Sequence, residues 1–180
     1  SQQSITRAIL STGYKSEVIS DYFGSRYNGI DLIYSVEDQP LGTGGAIKKA
    51  LCEAFSDEIF ILNGDTFFDV SLIRLRGVQQ AAEAAVAMAL KTMENFDRYG
   101  AVNVDESGRV LNFAEKGFQE RGTLNGGVYV VQSDIFKKNQ FPEKFSFESD
   151  LLEKSIETFK IYSEIFDAYF IDIGIPEDYE

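Results

Sequence analysis

No histidine and no tryptophan occur anywhere in the 180 residues, and cysteine occurs once, at Cys52. The missing imidazole removes the commonest general base, the Ser–His and Cys–His nucleophile pairs and His-ligated zinc. A lone thiol excludes a disulfide framework within the chain and suits a reducing, cytoplasmic compartment. Basic side chains are also scarce, 17 against 29 acidic ones for a net charge of −12. That balance repels nucleic acid and leaves no basic stripe for a phosphate backbone. The longest apolar runs, Ile59 to Leu62 and Ala84 to Leu90, fall far short of the roughly 20 residues a membrane helix needs. Neither nucleic acid nor membrane is an expected partner. What remains is chemistry on carboxylates, lysine, backbone amides and hard cations. The composition, 44% hydrophobic and 26% charged, is that of a globular chain able to bury a core.

The first half alternates strand and helix patterns. Ile5 to Ser11 reads as a strand, followed by a helix that Ser16 would cap and Gly24 would close, with Val18, Ile19, Tyr22 and Phe23 on one side. Asp31 to Val36 is the next strand. A glycine-rich turn then leads into a helix with Ile47, Ala50, Leu51 and Ala54 at helical spacing. Ile59 to Leu62 has the unbroken apolar character of a central parallel strand. This βαβαβ rhythm implies an α/β layered domain over residues 1–180. In the second half, Ala84 to Leu90 is read as strand. Ala101 to Val104 and Arg109 to Glu115 flank the hairpin loop Asp105-Glu106-Ser107-Gly108, with Leu111, Phe113 and Glu115 on one face. Gly126 to Val131 is a further strand, and Ser146 would cap a helix burying Leu151, Leu152 and Ile156.

Five places carry candidate chemistry, and each has a plainer reading. Asp65 follows an apolar strand in Leu62-Asn63-Gly64-Asp65, where open α/β sheets bind ligands, although an Asx-turn would look the same. Glu37 to Ala46 joins a strand to a helix start, and its glycines could leave backbone N–H groups bare for a ligand. Glu37 could accept hydrogen bonds from a base edge. The string is neither a dinucleotide fingerprint nor a P-loop, so a generic dinucleotide-binding module is excluded and a flexible connection is its bland alternative. Glu115-Lys116 suits sugar hydroxyls and a phosphate, or is a surface pair. Asn125-Gly126-Gly127 offers an amide beside unobstructed backbone, or is a turn. Asp172 sits inside the apolar run Phe170-Ile171-Asp172-Ile173, where a carboxylate calls for a partner or a metal.

Taken in order, these strings are far more specific than any one of them. Together with Phe96-Asp97-Arg98-Tyr99-Gly100, Gly64 to Asp69, Phe145-Ser146-Phe147-Glu148, Val128-Tyr129 and Pro176, they resemble the sugar-1-phosphate nucleotidyltransferase family across essentially the whole chain. Within it they are most similar to the branch that transfers a guanylyl group to a heptose 1-phosphate. The resemblance implies a Rossmann-like three-layer sandwich with a mixed, mostly parallel sheet. It also implies transfer from GTP to D-glycero-α-D-manno-heptose 1-phosphate, forming a GDP-sugar and pyrophosphate. By the same resemblance, Glu37, Pro40, Gly42 and Thr43 line the base site, and Asp65 and Asp172 hold Mg2+. Gly100, Glu115, Asn125 and Gly126 contact the sugar, and Lys116 pairs with its phosphate. The catalytic set is therefore Asp65, Lys116 and Asp172.

The family's glycine-rich triphosphate loop, with its arginine and lysine, has no counterpart here. Ser1-Gln2-Gln3 looks like the tail of a preceding helix. The expectation is a domain incomplete at its N-terminus and lacking closing helices after Gly174; residues 1–180 alone would then be inactive. Two rival readings stay open. One is the same fold acting on mannose or glucose 1-phosphate with another nucleotide. The other is a non-catalytic sugar-nucleotide-binding regulatory relative, against which the retention of both aspartates argues. The family is often multimeric, which leaves a homo-oligomer as an open expectation.

Overall fold

The computed structural model describes residues 5–54, 56–97 and 100–174. Ser1-Gln2-Gln3, Arg98-Tyr99 and Pro176 lie outside the described residues. The chain forms two compact units, Ser1–Asp57 with Ser133–Leu152, and Glu58–Gln132 with Glu153–Glu180.

In the first unit, β1 (Arg7–Thr12), α1 (Ser16–Phe23), β2 (Arg26–Tyr27) and β3 (Ile30–Val36) follow one another. β1 and β3 pair in parallel from Arg7↔Asp31 to Thr12↔Val36, and β2 lies antiparallel on β3. The βα crossover read from the sequence is therefore present. Gly24 closes α1 at φ 64, and its N–H donates to Ser20. Ser16 is not the cap; Lys15, at φ 57, occupies that position without a side-chain hydrogen bond. No residue of α1 is buried, so the apolar side of this helix faces outward. The second helix, α2 (Gly42–Ala50), begins inside the glycine run and tightens into a short turn at Leu51–Glu53. A wide helical turn, Phe147–Leu152, packs on it. Ser146 caps that turn as expected: its Oγ accepts from Ser149 N at 3.1 Å, and its own N–H donates to the Asp150 carboxylate at 2.9 Å. Leu151 and Leu152 are fully buried there.

The second unit runs β4 (Glu58–Leu62), β5 (Thr66–Phe68), α3 (Leu72–Ala82), β6 (Val86–Phe96), β7 (Gly100–Val104), β8 (Val110–Lys116), β9 (Gln119–Gln132), β10 (Ile161–Ile165) and β11 (Phe170–Asp172). Its sheet has the order β10-β6-β9-β7-β8, with β4 also on β9, while β5 and β11 form a separate ribbon. Val86, Ala87, Met88, Ala89 and Leu90 have no accessible surface, which is why this segment is a central strand. Removing each larger apolar side chain from water stabilises the fold by about 1.5–3 kcal/mol.

The chain has the expected α/β class and a mixed sheet, with one correction. Among the described strands only β1–β3 and β6–β10 pair in parallel. Ile59 to Leu62 lies in β4, which runs antiparallel to β9 and is half-buried, with Leu62 58% exposed. The cause is β9. Its fourteen residues are long enough to take antiparallel neighbours on both sides. The hairpin β7–β8 forms as read, but its Leu111, Phe113 and Glu115 row is no buried face: Leu111 and Glu115 are exposed and Phe113 is half-buried, while the buried residue of β8 is Val110.

Candidate active site

In the first unit, the segment after β3 is braced from within. The Glu37 carboxylate accepts a hydrogen bond from Leu41 N at 2.8 Å, folding Asp38, Gln39 and Pro40 into an exposed loop above the buried Leu41. Two of the glycines that follow do not leave their amides bare. Gly44 N and Gly45 N both donate to Phe145 O, at 3.0 and 3.3 Å, and Phe145 N returns a bond to Leu41 O at 3.0 Å. A Cβ on Gly42 would lie 2.6 Å from Phe145 O, and one on Gly44 2.2 Å from the Phe145 ring. Glycine is needed here because a distant segment presses on the helix start. Gly42 alone also requires it for its φ of +72°. Thr43 is engaged as well, donating to Glu148 Oε2 at 2.7 Å and accepting from Phe147 N at 2.8 Å. Beside α2 lies a cleft of about 520 Å³ lined by residues that include Asp38, Gln39, Lys48, Lys49, Cys52 and Glu143. No sequence pattern announced it, since its walls come from segments a hundred residues apart.

In the second unit, Asp65 and Asp172 come together. Asp65 lies in the turn between β4 and β5, and Asp172 ends β11, whose register on β5 places it opposite Thr66. Ile173 N donates to Asp65 O at 2.8 Å, so backbone hydrogen bonding joins the two turns. A Cβ built on Gly174 would sit 3.1 Å from Asp172 Oδ1 and 3.6 Å from Asp65 Oδ2. Both carboxylates thus border one small space that the absent side chain keeps open. Asp65 is exposed, and Asp172 is half-buried, with Oδ1 accepting from Gly174 N at 3.0 Å. Paired carboxylate oxygens are donors that fit a hard divalent cation. Such ions take one or two carboxylates and complete their shell with water and substrate phosphates. Among the described residues no cluster of three or more His, Cys, Asp or Glu is poised as a complete cage.

The strand register links the remaining expected residues to one another. Gly100 faces Lys116 across β7–β8, the neighbouring Ala101 faces Leu124, and Asn125 faces Leu90 on β6. Glu115 and Lys116 are exposed at the end of β8. The Asn125 carboxamide accepts from Gly127 N at 3.1 Å and donates to Tyr129 Oη at 2.6 Å. Gly100 and Gly126 have packing duties too. A Cβ on Gly100 would fall 2.6 Å from Ala114 O, and one on Gly126 2.3 Å from the Phe68 ring. Phe68 and the fully buried Tyr129 therefore shape this region, although neither is signalled by residue type in the sequence.

In this α/β unit the turn after β4 and the end of β11 bring two carboxylates to one small space, an arrangement able to hold a hard divalent cation. The whole chain, residues 1–180, matches the nucleotidyl transferase family, and it belongs to that family. It is 51% identical over 178 residues to the D-glycero-α-D-manno-heptose 1-phosphate guanylyltransferase of Aneurinibacillus thermoaerophilus, covering 99% of this chain and 77% of that protein. The enzyme of the same description from Campylobacter jejuni is 48% identical, with 99% and 78% covered. Among solved structures, HddC from Yersinia pseudotuberculosis superposes with a TM-score of 0.85 at 33% identity, covering 98% of this chain and 76% of that one. The same protein complexed with GMP-PN gives 0.81 at 34% identity, with 95% and 74% covered.

Proposed function

We propose that this chain belongs to an enzyme that carries out guanylyl transfer from GTP to D-glycero-α-D-manno-heptose 1-phosphate. A sugar-phosphate oxygen attacks the α-phosphorus of GTP and forms a new P–O bond. The bond from the α-phosphorus to the bridging oxygen breaks, and pyrophosphate leaves with the electron pair. The nucleophile is already an anion, so no side chain has to remove a proton, in keeping with a chain that has no histidine. The observation that carries this reading is the pairing of Asp65 with Asp172 around the space beside Gly174, in a chain about half identical to two heptose 1-phosphate guanylyltransferases.

Asp65 and Asp172 would hold Mg2+, which when bound supplies positive charge to neutralise the phosphates. Lys116 would add a compact charge for the sugar phosphate. Glu115 and Asn125 would orient the sugar hydroxyls, with Gly100 and Gly126 giving backbone access. The loop braced by Glu37, with Pro40, Gly42 and Thr43, would receive the guanine. Catalysis would then rest on positioning and charge neutralisation. Among the described residues no helix is long and apolar enough to cross a membrane. A cytoplasmic setting, where GTP is abundant, suits the substrates.

The test is pyrophosphate release by protein expressed from its complete reading frame, against a panel of nucleoside triphosphates and sugar 1-phosphates. The heptose phosphate with GTP should give the highest kcat/KM. A preference for mannose or glucose 1-phosphate would move the assignment to another substrate pair. Tight sugar-nucleotide binding without turnover on any pair would favour a regulatory relative.

A further inference from the structure

The motif Asn125-Gly126-Gly127 interrupts β9 at the place where that strand changes partners. Before it, Leu124 faces Ala101 of β7; after it, Val128 faces Leu62 of β4. The register on β6 moves from Met88↔Tyr129 to Leu90↔Asn125, so three residues of β9 stand opposite Ala89 alone. The result is a β-bulge, and Gly127 occupies it at φ +71°.

This bulge touches both ends of the segment that bears Asp65. At the leading end, Gly127 O accepts from Asn63 N at 2.8 Å, and a Cβ on Gly127 would meet the Asn63 side chain at 2.9–3.0 Å. At the trailing end, the Phe68 ring lies directly on Gly126, where a Cβ would stand 2.3 Å from Cδ1 and 2.4 Å from Cε1. The ring has little room to retreat. Phe68 is 7% exposed and packs edge-on against Phe166 and Phe170. Behind the same point, Ala89 O would lie 3.1 Å away. Phe170 belongs to the strand that ends on Asp172, and Ile173 N is bonded to Asp65 O. Moving Phe68 therefore moves both aspartates.

We infer that the Gly126-Gly127 bulge is a positioning device for the carboxylate pair, holding the Asp65 turn at Asn63 and at Phe68 so that Asp65 and Asp172 meet one divalent cation. The inference rests on the proposed metal role of those aspartates. It assigns the two glycines a task separate from any sugar contact, because the arrangement exists before substrate arrives. Residues that support metal ligands in this way change metal affinity about 10–100-fold when altered.

The experiment measures Mn2+ binding, by electron paramagnetic resonance of free Mn2+, with no nucleotide or sugar present. Wild type is compared with Asp65→Asn, Gly126→Ala, Gly127→Ala and Val131→Ala. The last trims a buried side chain further along β9 and controls for general destabilisation. Gly126→Ala and Gly127→Ala should each raise the Mn2+ Kd about tenfold or more while Val131→Ala stays near wild type. If Asp65→Asn binds Mn2+ as wild type does, the metal assignment itself falls. If Asp65→Asn loses Mn2+ but both glycine variants keep wild-type affinity, the aspartates stand and the bulge is no positioning device. Should the alanine variants not fold, Phe68→Val asks the same question by opening space on Gly126. It should weaken Mn2+ at least about threefold, and unchanged affinity overturns the inference.

Discussion

Replacing glycine by alanine should act with opposite signs at two helical positions. In a helix interior, alanine is favoured over glycine by up to about 1 kcal/mol. Gly77, in α3, has nothing within 4 Å of where a Cβ would be and is exposed, so Gly77→Ala should collect most of that gain. Gly44, in the first turn of α2, is different. Its added Cβ would meet three atoms of the Phe145 ring at 2.2, 2.4 and 2.8 Å. That ring is 3% exposed and stacked on Phe141 at 4.7 Å. Its backbone is tied to Leu41, Gly44 and Gly45 by three hydrogen bonds, so the ring cannot swing away cheaply. Overpacking of this severity lies near the upper end of about 1–3 kcal/mol. The propensity gain is small so close to a helix end, which leaves a net loss of about 2 kcal/mol. At about 2–4 °C per kcal/mol for a chain of this size, Gly44→Ala should melt about 4–8 °C lower, and Gly77→Ala about 2 °C higher. Thermal melts followed by circular dichroism decide the matter. A rise in Tm for Gly44→Ala would refute the close packing of Phe145 on the start of α2.

Asp65→Asn should lower the rate of pyrophosphate release at least about 100-fold while leaving Tm within about 2 °C, because the side chain is exposed and its loss removes charge rather than packing. Kinetic assay alongside a melt checks both halves. Asp105 offers a pH prediction. The Ser107 hydroxyl, then backbone N–H groups of Arg109 and Ser107, hold its carboxyl below the ordinary 3.8, with a smaller contribution from the Arg109 charge. A depressed folded-state pKa contributes stability that is present above the ordinary value and is lost as pH falls through the lowered one. Ser107→Ala should move the Asp105 titration upward, as followed by carboxyl NMR, and an unchanged midpoint would rule out the hydroxyl as its chief cause.

Local signals carried the sequence reading where the cause was local. Asp105-Glu106-Ser107-Gly108 gave away its loop because Asp105 Oδ1 bonds to residues two and four positions on, and Gly108 supplies φ +83°. Ser146 was legible as a cap for the same reason. Asp172 stood out because a carboxylate breaks an apolar run, and Asp65 because it follows one. What was hidden came from segments far apart in the chain. Nothing near Gly44 foretells Phe145, so in sequence a glycine that admits a ring looks the same as one that bares its amide. The first residues of β9, Gln119 to Thr123, lack apolar alternation and become a strand only because β6 is there to pair with them. Ser16 has the right residue type for a cap, yet the left-handed Lys15 takes the position.

The change of partners along β9 limits which lengths of the chain can vary. The same strand is bonded to the hairpin that ends in Lys116 and to the strand that leads to Asp65, on opposite sides of one bulge. Residues added to the 105–108 loop would pull Gly108 from β10, where its carbonyl accepts from Ser163 N at 2.8 Å and from Ser163 Oγ at 3.0 Å. A single residue inserted between Leu124 and Val128 would likewise slide the pairings with β7 past those with β4. Descendants of this sequence should therefore keep both the length of that loop and the count of residues across the bulge unchanged.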